Sequence, residues 1–317
     1  MISEDTVLTL EKTANEIRKS IISMLLEAKS GHTAGPLGMA DIFTAFYFHL
    51  LKHDSHNPSW KERDLVVLSN GHICPVLYAT MAHAGYFPVE ELQTLRKFGS
   101  KLQGHPHREF LPALETSSGP LGSGLSQAVG MALALRVNKN SAENKGEKST
   151  DADRFVYCFL GDGELNEGQN WEAIMLAGKE KLGNLVAVVD RNHIQIDGFT
   201  EDVMPLEPLH DKWKAFNWNV IGINGHDFKQ IVAAVEEAKK QNGKTNARPT
   251  VILAQNIPGK GVKEFENKPY WHGNPPNKEQ ADMALAELRA LDEKRTTTSA
   301  SAVTKTKKNF LTSLFNK

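Results

Sequence analysis

The strongest constraint on this chain is a recurring unit, a short apolar run that reads as a buried strand, followed at once by a polar loop carrying glycine. The unit leads from Leu65–Leu68 into Ser69-Asn70-Gly71-His72, from residues 155–160 into Gly161-Asp162-Gly163, and from 185–189 into Asp190-Arg191-Asn192. It returns from 220–223 into Asn224-Gly225-His226-Asp227 and from 250–255 into Ile257-Pro258-Gly259-Lys260-Gly261. Helical patterns fill most of the intervals, so the alternation predicts an α/β fold, a parallel sheet flanked by helices. Each loop then falls beyond the carboxyl end of its strand, where open α/β sheets bind ligands.

Leu10, Ala14, Ile17, Ile21, Leu25 and Ala28 recur at helical spacing and predict an amphipathic first helix, stopped by Ser30-Gly31. Further helices are expected over Met39 to Leu51, Cys74 to Ala84, Val89 to Lys97, Ser126 to Val137, 167–182 and 227–240. Gly99 to Gly124 is rich in glycine and proline, and Asn138 to Asp153 reads as a polar surface loop. Residues 1–290 are expected to form one domain and 291–317 a flexible basic tail. From Lys294 onward the chain is rich in Thr, Ser and Lys, contains no acidic residue, and closes on Phe310-Leu311-Thr312-Ser313-Leu314-Phe315.

Composition excludes several classes. A net charge of -1 gives no global field to recruit nucleic acid, and no window approaches the apolar length of a membrane span. Met1-Ile2-Ser3-Glu4-Asp5 lacks the basic, then apolar, start of a signal peptide, so the cytoplasm is the expected location. Cys74 and Cys158 both lie in apolar segments, as reduced core residues do.

Two of the loops combine into a chemical site. Asp162 carboxylate, the Asn192 amide oxygen and a nearby backbone carbonyl are the hard oxygen ligands that Mg²⁺ prefers, with phosphate oxygens completing its shell. Gly161 and Gly163 let the backbone approach a phosphate, and a helix starting near Glu164 would present its positive end. Four histidines stand beside glycine: His32, His72, His105 and His272. Imidazoles can donate hydrogen bonds to phosphate and sugar oxygens and shuttle protons near neutral pH.

A Gly-Asp-Gly followed after a second strand by Asn resembles the signature of thiamine-diphosphate enzymes. The order of further motifs resembles the transketolase family. These are Ser30-Gly31-His32 leading to Gly35-Pro36-Leu37-Gly38-Met39-Ala40, then Leu68-Ser69-Asn70-Gly71-His72, Gly104-His105-Pro106 and Gly119-Pro120-Leu121-Gly122-Ser123-Gly124. Ile194-Gln195-Ile196-Asp197-Gly198 and Gly225-His226-Asp227 complete the series, which covers about residues 10 to 275. The chain departs from the family's usual Pro-Gly at Thr33-Ala34, its Gln at Ser123 and its Asp at Arg191.

The resemblance implies that Asp162, Asn192 and the Ile194 carbonyl hold Mg²⁺, for which Ca²⁺ or Mn²⁺ could substitute. It implies that His72, Gly163 and His272 contact the diphosphate, that Ile196 and Leu121 pack on the cofactor, and that Gly119, Gly161 and Glu164 belong to the same binding surface. His32, His105 and His272 would face the sugars, stabilising alkoxides and moving protons, while Glu167 and Glu172 match acids near a subunit interface. The implied reaction moves a two-carbon ketol unit from a ketose phosphate to an aldose phosphate. Full-length family members continue through a pyrimidine-binding domain that carries the activating glutamate, and that domain cannot fit after residue 275. A separate C-terminal subunit is therefore the expected partner, with two copies of each chain. Two other thiamine-diphosphate modules stay open at this point, a 1-deoxyxylulose-5-phosphate synthase and the alpha chain of a 2-oxoacid dehydrogenase. So does a non-catalytic binding or assembly protein.

Overall fold

The computed structural model describes residues 2–196 and 198–293. Five strands, β1 (Leu65–Leu68), β2 (Val156–Gly161), β3 (Leu185–Arg191), β6 (Asn219–Asn224) and β7 (Thr250–Gln255), form one sheet in the order β1-β2-β3-β7-β6. Every neighbouring pair in it is parallel. A small antiparallel hairpin, β4 (Ile194–Gln195) with β5 (Gly198–Phe199), follows β3.

Helices cover both faces, which is why the central strands are apolar throughout rather than alternating. Along β2, Tyr157 and Phe159 point into one core, with side chains of α1 (Glu4–Ala28), α2 (Ala34–Ala45), α3 (Cys74–His83) and α8 (Phe228–Lys239). Val156, Cys158 and Leu160 point into the other, with α4 (Ser123–Asn144), α5 (Gly168–Lys179) and Trp213 of α7 (Leu209–Ala215). A short α6 (Thr200–Val203) precedes α7. Ser3 caps α1 by accepting from Thr6 N–H at 3.1 Å. Asp227 caps α8, its Oδ1 accepting from the Lys229 and Gln230 N–H groups.

Several expected elements differ. Residues 89–94 form a 3₁₀ turn instead of an α-helix, and α4 continues to Asn144, so the first part of the expected loop at 138–153 is helical. The segment after Glu164 is a 3₁₀ turn, Gly163–Asn166, and α5 begins only at Gly168. The hairpin, α6 and α7 have no counterpart among the elements expected from sequence. Nor does a last helix, α9, over residues 278–293, which buries Ala281, Ala284 and Leu288. The Asn15 side-chain amide donates to the Leu288 carbonyl at 2.7 Å, docking α9 on α1. Residues 291–293 of the expected tail thus continue a helix, and the rest of that tail lies outside the described residues.

Candidate active site

The ends of β1, β2 and β3 open on a cleft of about 400 Å³ at the carboxyl edge of the sheet. Registry sets its geometry: β2 and β3 pair Gly161 with Asp190, so Asp162 and Asn192 leave adjacent strands at neighbouring heights. Asp162 is buried, and burial raises its carboxyl against the pull of the His193 N–H and Arg191. Its Oδ1 accepts from Gly163 N–H at 2.8 Å, and its Oδ2 from His193 N–H at 2.8 Å and Arg191 Nη1 at 3.0 Å. His193 takes a left-handed φ of 63° to turn the chain there. Asn192 Oδ1 accepts from Ile194 N–H at 3.0 Å while its Nδ2 donates to Asp190.

Four histidines from distant parts of the chain line the same cleft. His32 comes from the α1–α2 loop, His72 from the turn after β1, and His272 from the end of the turn Pro269–Trp271. Their ring centroids stand 4.8 Å (His32–His72), 5.4 Å (His32–His272) and 5.2 Å (His72–His272) apart. Polar ties bring these loops together. Thr33, one of the departures from the family pattern, donates through Oγ1 to the Asn274 carbonyl at 2.6 Å, joining the loops of His32 and His272. Arg96 donates to Ser30 Oγ at 3.1 Å and to the Gly104 carbonyl at 3.3 Å, joining the loops of His32 and His105.

Burial holds these imidazoles neutral. It pushes His32 down to about 4, with His272, Arg96 and His105 adding to the effect, and pushes His72 well below the usual range, with the other three histidines adding. His272 is lowered by burial, and His105 by burial and then Arg96. A cluster of neutral imidazoles can donate hydrogen bonds without the cost of a buried charge.

Gly119, Leu121, Gly161, Gly163, Ile194 and Ile196 also line the cleft, Ile196 as a 75% exposed side chain. Glu164 lines it too, but its carboxylate is committed to the surrounding loops. Oε1 accepts from Ser69 Oγ at 2.5 Å and Gly122 N–H at 2.7 Å, and Oε2 from Gly161 N–H at 3.0 Å. It braces the floor. Gly122 has φ of 84°, and a Cβ there would stand 2.7 Å from that of Glu167. Glu167 and Glu172 are exposed on α5 and its N-terminal boundary and do not line the cleft.

His226 is brought elsewhere. Its Nε2 accepts from Ile257 N–H at 2.8 Å, so Nδ1 donates to Asp41 at 2.8 Å, and Arg18 grips the same carboxylate. Gly225-His226-Asp227 and the 257–261 loop therefore sit at the correct sheet edge but fasten α1, α2 and α8 instead of opening on the cleft. Conversely, the cleft uses Asn70, Asp190 and Gln195, to which the sequence alone assigns no site role. Asn70 and Asp190 each lie in a loop that the sequence singles out, so strand-end placement alone is a usable signal.

The residues fit a diphosphate held through a cation. Both polar atoms of the Asn70 amide, His32 Nδ1 and Gln195 Nε2 are buried without partners, as groups waiting for a polar ligand would be. Among the described residues no cluster of His, Cys, Asp and Glu could hold a metal by itself. A cation here needs oxygens from Asn192, from backbone and from the ligand, which is the oxygen-rich set of a phosphate-bound Mg²⁺.

The model of the transketolase thiamine-diphosphate-binding domain matches residues 9–309. The chain belongs to the transketolase family. A 6-deoxy-6-sulfo-D-fructose transketolase subunit of a Clostridium species is 43% identical over 279 residues, 88% of this chain and 96% of that one. An apulose-4-phosphate transketolase subunit of Phocaeicola vulgatus is 38% identical, over 90% of this chain and 96% of its own. Transketolase 1 of Escherichia coli is 39% identical over 84% of this chain, but only 39% of that longer protein is matched. Among solved structures, the transketolase of Campylobacter jejuni superposes with a TM-score of 0.79 at 36% identity, covering 88% of this chain and 42% of that one. This transketolase chain thus matches nearly the whole of the relatives named as subunits and less than half of the longer transketolases.

Proposed function

We propose that this chain is the diphosphate-binding subunit of a split transketolase, active with a separate polypeptide that carries the pyrimidine-binding domain. The observation that carries the reading is the juxtaposition of Asp162 and Asn192, on adjacent strand ends, with four neutral histidines in one cleft. The chain covers 96% of two relatives named as subunits, which supports a second polypeptide.

In this reading Asp162, Asn192 Oδ1 and the Ile194 carbonyl hold Mg²⁺, with Ca²⁺ or Mn²⁺ as substitutes. His72, Gly163 and His272 take the diphosphate oxygens, and Gly119, Leu121, Gly161 and Ile196 shape the cofactor surface. Glu164 acts through the loops it fixes, and Glu167 faces the partner subunit. Bound thiamine diphosphate supplies the nucleophilic carbon that lets a bond beside a ketone break and re-form. His32, His105 and His272 donate hydrogen bonds to the sugar oxygens that gain negative charge and pass protons to them.

The names of two relatives point to a ketose donor with an anionic end, either phosphate or sulfonate, and the acceptor is an aldose phosphate. Two copies of each chain complete the assembly. The cytoplasm is the proposed location, supported by two free, buried cysteines, Cys74 and Cys158. Among the described residues no helix is long and apolar enough to cross a membrane. Residues 1–290 form the cofactor domain in this proposal, with a basic extension after it.

The test is ketol transfer from xylulose 5-phosphate, and separately from 6-deoxy-6-sulfo-D-fructose, to ribose 5-phosphate. Activity is expected only when both subunits, thiamine diphosphate and Mg²⁺ are present. Turnover by this chain alone would overturn the split site, and none from the verified complex would overturn the transketolase reading.

A further inference from the structure

Asp190, the next-to-last residue of β3, lines the cleft at 1% exposure, and its two carboxylate oxygens each receive an amide. Asn192 Nδ2 donates to Oδ2 at 2.7 Å, and Asn256 Nδ2 donates to Oδ1 at 2.7 Å. Both carboxylate oxygens accept, so both asparagines turn their NH₂ groups towards Asp190 and their carbonyl oxygens away. For Asn192 that leaves Oδ1 on the side of Ile194 N–H, which donates to it at 3.0 Å. A half-turn of this amide would set oxygen against carboxylate and NH₂ against N–H, two repulsive contacts in a buried setting. Asn256 obeys the same constraint at visible cost. Its Oδ1 is buried without a partner, and a Cβ on Gly225 would fall 1.7 Å from it.

We infer that Asp190 is a positioning residue for the cation site: it selects the amide orientation in which Asn192 presents an oxygen, rather than a nitrogen, to the metal. The inference rests on the proposed role of Asn192 as a metal ligand. Asparagine at a ligand position is ambiguous by itself, because its two ends differ only in chemistry and not in shape. Asp190 removes the ambiguity. In this role it acts through Asn192 rather than as a ligand itself.

The test exploits that symmetry. In Asp190→Asn the new amide can donate or accept, both orientations of Asn192 can be served, and an NH₂ can face the cation. In the exchanged pair, Asp190→Asn with Asn192→Asp, residue 192 offers an oxygen whichever way it turns, while the amide now at position 190 can donate to it and accept from Asn256. Mn²⁺ affinity is read from the free-ion electron paramagnetic resonance signal at pH 8, with thiamine diphosphate and the pyrimidine-domain subunit present. The single variant should bind Mn²⁺ about tenfold or more weakly, and the exchanged pair should recover most of that loss. Unchanged affinity in the single variant overturns the inference. So does a weak single variant that the exchange fails to rescue, since that is the behaviour of a merely structural residue. If the single variant does not fold, the exchanged pair decides alone: Mn²⁺ affinity near that of the unmodified chain supports the inference, and weak binding or failure to fold overturns it. Failure of the unmodified complex to bind Mn²⁺ at all would instead take down the functional reading beneath it.

Discussion

Arg191 Nη1 lies 3.0 Å from Asp162 Oδ2, and both side chains are 1% exposed. The same guanidinium reaches Glu201 at 2.6 Å and Glu207 at 3.0 Å, so one buried cation joins the proposed metal ligand to the segment that follows the β4–β5 hairpin.

Removing one member of a buried ion pair strands the other, at a cost of roughly 3–5 kcal/mol. Arg191→Met should therefore destabilise the cofactor-free chain by an amount of that order in urea unfolding. Arg191→Lys should recover only part, because a single ammonium cannot reproduce a planar fork shared among three carboxylates. A loss below about 1 kcal/mol in the methionine variant, the range of an exposed pair, would contradict the buried bridge.

Glu164 is buried and takes hydrogen bonds from Ser69, Gly122 and Gly161, with no cation among its hydrogen-bond partners. Burial raises its carboxyl, and these donors oppose the shift. Glu164→Gln puts an NH₂ against groups that can only be relieved by an acceptor. We expect roughly 1–3 kcal/mol of lost stability and weaker thiamine-diphosphate binding, read by thermal melting with and without cofactor. A variant matching the parent in both would show that the loops hold themselves.

The histidine cluster gives the cofactor-free chain a defined acid response. His32 drops from 6.5 to about 4 on folding, so between those values the unfolded chain binds the proton more readily, and stability falls as pH falls through that window. Above pH 6.5 the contribution is fully present. A shift of that size corresponds to roughly 3 kcal/mol if fully expressed. His32→Asn should flatten the slope of unfolding free energy against pH between 4 and 6.5. An unchanged slope would mean that the burial is not felt at that ring.

Much of this was legible in the sequence, and the reasons differ by residue. The strands were readable because both faces are covered, which leaves Val156 to Leu160 and Leu185 to Val189 continuously apolar. Asp162, Asn192 and the Gly-linked histidines were readable because each lies in a loop with distinctive chemistry beside glycine. His226 shared that chemistry, yet only the tertiary pairing with Asp41 and Ile257 N–H reveals a fastening role. Asp190 and Asn70 were hidden for the opposite reason: buried acids and amides at strand ends are common, one of the two amides on Asp190 comes from Asn256, 66 positions away, and the Asn70 amide has no partner at all. The 3₁₀ turn at Val89–Thr94 carries apolar spacing close to that of an α-helix, and only i→i+3 bonding tells the two apart.

In the proposed function this cleft holds the diphosphate end of thiamine diphosphate through a cation on Asp162. It is tested most directly by calorimetric titration of thiamine diphosphate into the two-subunit complex, with Mg²⁺, with excess chelator, and with Asp162→Ala. Saturable binding is expected with Mg²⁺, and chelation and the substitution should each weaken it by about a hundredfold or more, the range for losing a buried charged ligand group. Equal affinity under all three conditions would contradict it.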